Sequence, residues 1–85
     1  MRVSFVVPAF QNERSVGDVV RGLREAAREL AAVTEPPVLV VDDGSTDTTA
    51  EQAREAGALV LAHAHNRGKG RALLSGFARA LELGA

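Results

Sequence analysis

The stretch VLVVDDGSTD, from Val38 to Asp47, constrains the fold of this chain more than any other segment. Four consecutive apolar residues, three of them β-branched, run directly into two carboxylates, a glycine and a row of hydroxyl side chains. Such an apolar run is typical of a strand that is buried on both faces of a parallel sheet. Its polar end then lies at the carboxyl edge of the sheet, where open parallel sheets hold their ligands. Asp42 and Asp43 are thereby placed where a substrate would bind.

Two further β-rich runs are also followed by polar loops. The first extends from Val3 to Val7 and is expected to end at Pro8, which has no amide donor. The second extends from Ala58 to Ala62 and precedes the loop HAHNRGKG. Together with Val38–Val41, these runs predict three strands.

Helices are predicted after each strand. The first extends from Ser15, with Asp18 completing a capping-box pattern, to Ala32, and Pro36-Pro37 stops it. The second extends from about Thr48 to Ala56. Its predicted N-cap is Asp47 or Thr46, and Gly57 is placed to end it.

A third helix follows the last loop and ends near Gly84. Its predicted apolar face is formed by Leu73, Phe77, Ala80 and Leu81. The order β-α-β-α-β-α predicts an α/β fold of the Rossmann-like class, with parallel strands, right-handed crossovers and helices on both faces of the sheet. This is half of a doubly wound sheet, without internal repeats or linkers.

Length and charge limit the functions open to the chain. At 85 residues it is one small domain, and 10 basic against 11 acidic residues give no field that would attract nucleic acid. There is no cysteine. The N-terminal apolar run is interrupted by Ser4 and Pro8, which favours a strand over a signal peptide, and no run approaches the roughly 20 residues of a membrane span. The chain is therefore expected to be soluble and cytoplasmic.

Three loops follow the three strands: PAFQNE (8–13), DDGSTD (42–47) and HNRGKG (65–70). In a parallel sheet they emerge at one edge and can converge on one ligand, although each also has the composition of ordinary turns and caps. Carboxylates can bond ribose hydroxyls or a base N–H. Gly68-Lys69-Gly70 at a helix start suits a phosphate. The combination suggests a nucleotide, but neither the P-loop nor the dinucleotide fingerprint fits the sequence.

Two side-chain types leave alternatives open. His63 and His65 alternate at a strand end, where solvated or packing roles compete with a metal role that lacks an evident third ligand. Phe10, one of three aromatic residues, could stack on a base or pack in the protein.

The segments VSFVVPAFQNERSV, VLVVDDGSTDTT and NRGKGRALLSGF, in this order, resemble the N-terminal part of family 2 glycosyltransferases. The likeness covers nearly the whole chain and is closest to the dolichol- and polyprenyl-phosphate mannose or glucose synthases. It implies a glycosyltransferase A fold, a UDP- or GDP-linked sugar donor, a lipid phosphate as acceptor and a divalent cation, magnesium or manganese. It also implies that the full-length protein works in the cytoplasm or at the cytoplasmic face of the membrane.

The resemblance implies roles for particular residues. Pro8 and Phe10 would line the base and ribose pocket, Asp43 would bond the base, Asp42 would support the pocket and Lys69 would lie near the phosphates. The family's acidic position after the aromatic residue is shifted here by Gln11. Either Asn12 replaces the acid, or Glu13 takes its role.

No catalytic residue or metal ligand is carried over, because the family's Asp-x-Asp motif follows the next strand, beyond Ala85. Residues 1–85 are therefore expected to be the donor-nucleotide half of the domain, which binds nucleotide and transfers no sugar alone. A non-catalytic nucleotide-binding module is the alternative. A receiver domain is disfavoured because no Asp follows the third strand, and a sugar nucleotidyltransferase because PAFQNE contains no glycine.

Overall fold

A computed structural model of the chain describes residues 5–31 and 37–83. Its elements are, in order, β1 (Phe5–Ala9), α1 (Val16–Ala31), β2 (Val38–Asp43), α2 (Thr49–Glu55), β3 (Leu59–His63) and α3 (Lys69–Glu82). The predicted alternation of strands and helices is confirmed. Within these two ranges, no helix is both long enough and apolar enough to cross a membrane.

The three strands form one parallel sheet with β2 between β1 and β3. Val40, at the centre of β2, pairs with Val7 of β1 and Val60 of β3. All six residues of β2 are buried. The apolar run is therefore a strand covered on both faces, as predicted, and each buried Val or Leu side chain contributes about 1.5–3 kcal/mol.

Helices cover both faces of the sheet, which confirms the predicted fold class. Because side chains alternate along a strand, Val40 and Val41 point to opposite faces. Val20 of α1 and Ala53 of α2 belong to the same buried cluster as Val40. Helix α3 lies on the face that contains Val41.

Helix α3 packs on the sheet through small residues. Ala72, Gly76 and Ala80 recur every fourth position and are buried. A Cβ atom added at Gly76 would lie 2.9 Å from Cγ2 of Val41 and closer still to Val6. The absence of a side chain at this glycine therefore allows the helix backbone to approach the strands.

The apolar face predicted for this helix is only partly correct. Ala80 is buried and Leu73 is half-buried, but Phe77 and Leu81 are 55% and 72% exposed. The close glycine contact rotates the small residues toward the sheet, and the larger apolar side chains therefore point outward. The helix is described to Glu82, and the predicted end near Gly84 lies outside the described residues.

Pro8 does not end β1, contrary to the prediction. It pairs with Val41 inside the strand, which continues to Ala9. β1 lies at one edge of the described sheet, where a residue without an amide donor is tolerated. The predicted strand start at Val3 and the predicted helix stop at Pro36 lie outside the described residues.

Other boundaries differ from the prediction by one or two residues. β2 continues past Val41 to Asp43, and β3 ends at His63 rather than Ala62. Helix α1 begins one residue after Ser15. The longer strands make Asp43 and His63 neighbours in the parallel register, which places a carboxylate beside an imidazole.

Helix α2 begins at Thr49 with Thr48 in the N-cap position, and the prediction of Asp47 or Thr46 is wrong. The carboxylate of Asp47 nevertheless accepts a hydrogen bond from the Thr49 amide at 3.0 Å, one position before the cap. Gly57 follows the helix with φ +98°, as expected for a glycine that ends a helix.

Candidate functional site

The loops that follow the three strands meet at the carboxyl edge of the sheet, as predicted. They enclose a cavity of about 380 Å³. Its wall is formed by the first and third loops and the start of α3, together with Asp43 at the end of β2. The lining residues are Pro8, Ala9, Phe10, Asn12, Asp43, Asn66, Gly68, Lys69 and Ala72. Five of the seven residues predicted to contact nucleotide lie in this wall, and Glu13 and Asp42 do not.

The Glu13 side chain bonds across to the start of α2, and the Asp42 side chain bonds within its own loop. The Glu13 carboxylate accepts hydrogen bonds from the Thr48 hydroxyl at 3.2 Å and the Thr48 amide at 3.4 Å. Asp42 is buried, and its Oδ1 accepts a hydrogen bond from the Ser45 amide at 3.1 Å. Both carboxylates therefore hold the loops beside the cavity, and their part in nucleotide binding stays a prediction.

Gln11 joins the first loop to the second. Its side-chain oxygen accepts a hydrogen bond from the Thr46 amide at 2.7 Å, and its own amide donates to Ser45 Oγ at 2.9 Å. Gln11 has φ +54°, a conformation that costs an L-residue about 1–2 kcal/mol. The extra residue in the first loop therefore forms a cross-link, a role that the sequence analysis missed.

Asn12 shapes the turn that presents Phe10. Its Oδ1 accepts a hydrogen bond from the Phe10 amide at 2.7 Å, and its own amide donates to Thr49 Oγ1 at 2.9 Å. Of the two candidates for the family's acidic position, the structure places Asn12 in the cavity wall and Glu13 at the start of α2. Phe10 is 46% exposed, so its ring is accessible rather than packed in the core.

Asp43 is the most constrained side chain of the cavity wall, with 3% exposure. Its Oδ1 lies 2.7 Å from His63 Nδ1 and accepts the Arg67 amide at 2.9 Å, while Oδ2 accepts the Gly68 amide at 2.8 Å. The hydrogen bond from His63 lowers the pKa of Asp43 most, the two amides lower it further, and loss of solvation opposes them. The side chain is therefore a carboxylate, which ties β2 to the third loop.

Asp47 is a second carboxylate with a lowered pKa. The hydroxyl of Thr49 is the main cause, and the amides of Thr49 and Glu13 contribute, while loss of solvation raises the pKa. Asp47 therefore fixes the start of α2 to the first loop, as an anion.

Glycines are required where the second and third loops touch. Gly44 has φ +79°, and a Cβ atom there would lie 2.5 Å from the His65 carbonyl carbon and 3.1 Å from Asn66 Cα. Gly68 has φ +94° and open space around it. Gly44 is therefore needed for both its conformation and the close approach, and Gly68 for its conformation.

Lys69 is the first residue of α3, exposed and in the cavity wall. The sequence suggested that backbone amides at this helix start would face a phosphate. The Gly68 amide instead donates to Asp43. A phosphate at this helix start would therefore meet the positively charged Lys69 side chain and the amides of the first turn of α3, without the Gly68 amide.

His63 is held at both ring nitrogens. Nδ1 lies 2.7 Å from Asp43 and Nε2 lies 2.8 Å from Ser75 Oγ of α3. Ser75 and Asn66 were missed by the sequence analysis. The link from Asp43 to His63 follows from the strand register, in which these two residues pair, and aligning the ends of the two predicted strands would have put Asp42 opposite His63 instead.

The divalent cation implied by the resemblance is expected to take its ligands from beyond Ala85, and the described residues form no metal site of their own. Across residues 5–31 and 37–83, no three His, Cys, Asp or Glu side chains are grouped to hold a metal ion. Asp42 and Asp43 already accept hydrogen bonds from loop amides. These two carboxylates therefore act as hydrogen-bond acceptors within the protein.

Similar proteins place this geometry in context. A family model described as Glycosyl transferase family 2 matches residues 4–82. An uncharacterized protein of Methanocaldococcus jannaschii is 40% identical over 76 residues, which are 89% of this chain and 28% of that protein. The undecaprenyl-phosphate 4-deoxy-4-formamido-L-arabinose transferase of Pseudomonas paraeruginosa is 37% identical over 88% of this chain and 23% of the transferase. The chain thus spans 23–28% of the length of these relatives.

A solved structure has the same arrangement of elements. The crystal structure of glucosyl-3-phosphoglycerate synthase from M. tuberculosis matches with a TM-score of 0.70 and 28% sequence identity. The match covers 92% of this chain and 30% of the synthase chain.

Proposed function

Because this chain belongs to glycosyl transferase family 2, we propose that it forms the nucleotide-binding half of the glycosyltransferase domain in a longer enzyme, which transfers a sugar from a UDP- or GDP-linked donor. The family membership confirms the resemblance inferred from the three sequence segments. The acceptor in this proposal is a polyprenyl phosphate, as the name of the Pseudomonas relative suggests for that protein. The observation that carries the proposal is one cavity walled by the loops after β1 and β3, with the carboxylate of Asp43 from the end of β2 between them.

Four side chains in the wall have a task in this proposal. The exposed ring of Phe10 stacks on the base, and Pro8 packs beside it. Asp43 accepts a hydrogen bond from a base N–H, because its anion is held in place by the third loop. Lys69 offsets the charge of the diphosphate.

Transfer itself is assigned to the longer protein. The relatives extend well beyond the matched segment, since the chain covers 23–28% of their length. We expect the 85-residue chain to bind nucleotide and to transfer no sugar, even with magnesium or manganese. In the full-length enzyme we place the reaction at the cytoplasmic face of the membrane. Sugar transfer by the purified 85-residue chain would contradict the proposal that transfer requires the rest of the longer protein.

The binding proposal is tested by titrating the ¹⁵N-labelled chain with UDP and with GDP and following amide resonances by NMR. Phe10→Ala is compared with Phe77→Ala, because both rings are about half exposed and Phe77 lies outside the cavity wall. Base stacking of about 1–3 kcal/mol predicts roughly 5- to 150-fold weaker binding for Phe10→Ala. We expect no change for Phe77→Ala.

A second matched pair tests the charge. Lys69→Ala is expected to weaken binding of the diphosphate more than Arg71→Ala, since both are exposed near the start of α3 and Lys69 lies in the wall. Saturable shifts in all three loops support the proposal. If a folded chain shows no shifts, or each variant behaves as its control does, the cavity is not a nucleotide site.

A further inference from the structure

The two carboxylate oxygens of Asp43 are not equally available to a ligand. A carboxylate offers about four acceptor positions, two on each oxygen. Oδ1 is engaged by His63 Nδ1 and the Arg67 amide, and Oδ2 by the Gly68 amide. Among the described residues, three positions are therefore taken and one remains, on Oδ2. A ligand in the cavity meets an acceptor for a single N–H.

His63 is the residue that makes Oδ1 unavailable. Because an ionised carboxylate only accepts, His63 must donate from Nδ1. In the neutral ring Nε2 then accepts a hydrogen bond from the Ser75 hydroxyl, 2.8 Å away. The side chain of His63 is 9% exposed, so the ring is fixed at both nitrogens and by packing. The orientation of Asp43 is fixed in turn.

Nucleotide bases differ in the donors that they present to such an oxygen. Uracil offers one ring N–H between two carbonyl oxygens, which matches one acceptor position. Guanine offers a ring N–H and an adjacent amino group, a pair that engages both oxygens of a carboxylate. With Oδ1 already occupied, one guanine donor would be buried without a partner, which weakens binding by roughly tenfold or more.

We propose that His63 is a positioning residue that makes this site select uridine diphosphate over guanosine diphosphate, by occupying Oδ1 of Asp43. The inference rests on the proposed function, because it requires a nucleotide in the cavity. It narrows the donor to a UDP-linked sugar. His63 itself does not touch the base and acts through Asp43.

Two substitutions separate this role from simple packing. The amide nitrogen of Asn can take the place of His Nδ1, so His63→Asn keeps a donor for Asp43 and loses the link to Ser75. The amide of Gln reaches the place of Nε2, so His63→Gln keeps the link to Ser75 and frees one of the two acceptor positions of Oδ1, while the Arg67 amide keeps the other. Both remove the imidazole ring.

The readout is the ratio of the dissociation constants for GDP and UDP, from NMR titrations of the wild type and both variants. We expect the wild type and His63→Asn to prefer UDP by about tenfold or more, and His63→Gln to bind the two within about threefold. If both variants change the ratio equally, or the wild type prefers GDP, the inference is overturned. If the wild type binds neither nucleotide, the proposed function fails and the selection fails with it.

A measurement on the wild type alone covers the case in which His63→Gln does not fold. A long-range ¹H–¹⁵N spectrum reports which nitrogen of His63 carries the proton. The inference requires a proton on Nδ1, and a ring protonated only on Nε2 would rule it out. In the ligand-free protein, His63→Asn should also leave the Arg67 and Gly68 amide resonances near their wild-type positions, because their bonds to Asp43 persist.

Discussion

The contact between the second and third loops is open to a direct test with three glycine substitutions. Gly44 has φ +79° and lies against the backbone of His65 and Asn66, Gly68 has φ +94° in open space, and Gly70 lies in the first turn of α3 with open space around it. Alanine at position 44 therefore adds backbone strain and a steric clash. Alanine at position 68 adds backbone strain alone, and alanine at position 70 adds neither.

The structure gives the order of the effects. A left-handed conformation costs alanine about 1–2 kcal/mol, and overpacking adds about 1–3 kcal/mol. Alanine also lowers the conformational entropy of the unfolded chain, which stabilises each variant by about 0.4–1 kcal/mol. Gly44→Ala should thus lower the free energy of unfolding by about 1–4.6 kcal/mol and Gly68→Ala by about 0–1.6 kcal/mol. Gly70→Ala should raise it by up to about 1 kcal/mol, because alanine favours a helix.

Urea and thermal unfolding, followed by far-ultraviolet circular dichroism, measure these differences. One kcal/mol shifts Tm by about 4–8 °C in a domain of this size, so the expected loss for Gly44→Ala is at least about 4 °C. If Gly44→Ala is no more destabilising than Gly68→Ala, the close approach of the two loops is wrong. A strongly destabilised Gly70→Ala would contradict the assignment of strain to the other two glycines.

Three further predictions concern pH and packing. The pKa values of Asp43 and Asp47 are lowered by folding, so the stability they contribute is present above about pH 4 and is lost as the pH falls through their folded pKa values; Tm should fall on acidification, and less steeply in Asp47→Asn. Leu39→Ala should lower the free energy of unfolding by about 2–5 kcal/mol, because this side chain is fully buried. Leu74 is 61% exposed, and Leu74→Ala should change the free energy of unfolding by less than about 0.5 kcal/mol. Urea unfolding of both variants measures the difference. Gly76→Ala should destabilise by about 1–3 kcal/mol, despite the higher helix propensity of alanine, because its Cβ would clash with strand side chains; an unchanged urea midpoint would refute this packing.

The fold was predictable because strand and helix signals agree along this chain. The apolar run before Asp42 gives a fully buried central strand, and the helices between strands impose the parallel order. The apolar face of α3 was less predictable. Spacing indicates which residues share a face of a helix, but a single glycine decided which face meets the sheet, and it left Phe77 outward.

The candidate site was predictable in its location and only partly in its contacts. Topology alone brings three loops to one edge, and motif likeness selected five residues of the cavity wall. The cross-links from Gln11 to Thr46 and from Asp43 to His63 depend on strand register and loop conformation. Neither is encoded by composition or spacing within one segment, so sequence patterns could not supply them.

The hydroxyl-rich stretch after Asp43 acts mainly between loops. Ser45 and Thr46 bond to Gln11, Thr48 bonds to Glu13, and Thr49 bonds to Asn12. None of these four hydroxyl residues is among those that line the cavity. Their bonds hold the first loop against the second before any ligand arrives, which lowers the entropy lost on binding.

It follows that the four hydroxyl residues make the loops rigid. The residues around the cavity, with His63 behind Asp43, determine which nucleotide binds more tightly. Substitutions such as Ser45→Ala should weaken UDP and GDP equally, because they loosen the loops without changing an atom of the wall. Phe10→Ala and His63→Gln should change the two affinities to different extents, since they alter the stacking surface and the acceptor positions that the base meets. A Ser45→Ala variant that changed the ratio of the two affinities would show that the hydroxyl row contacts the ligand, and the division between rigidity and discrimination would be wrong.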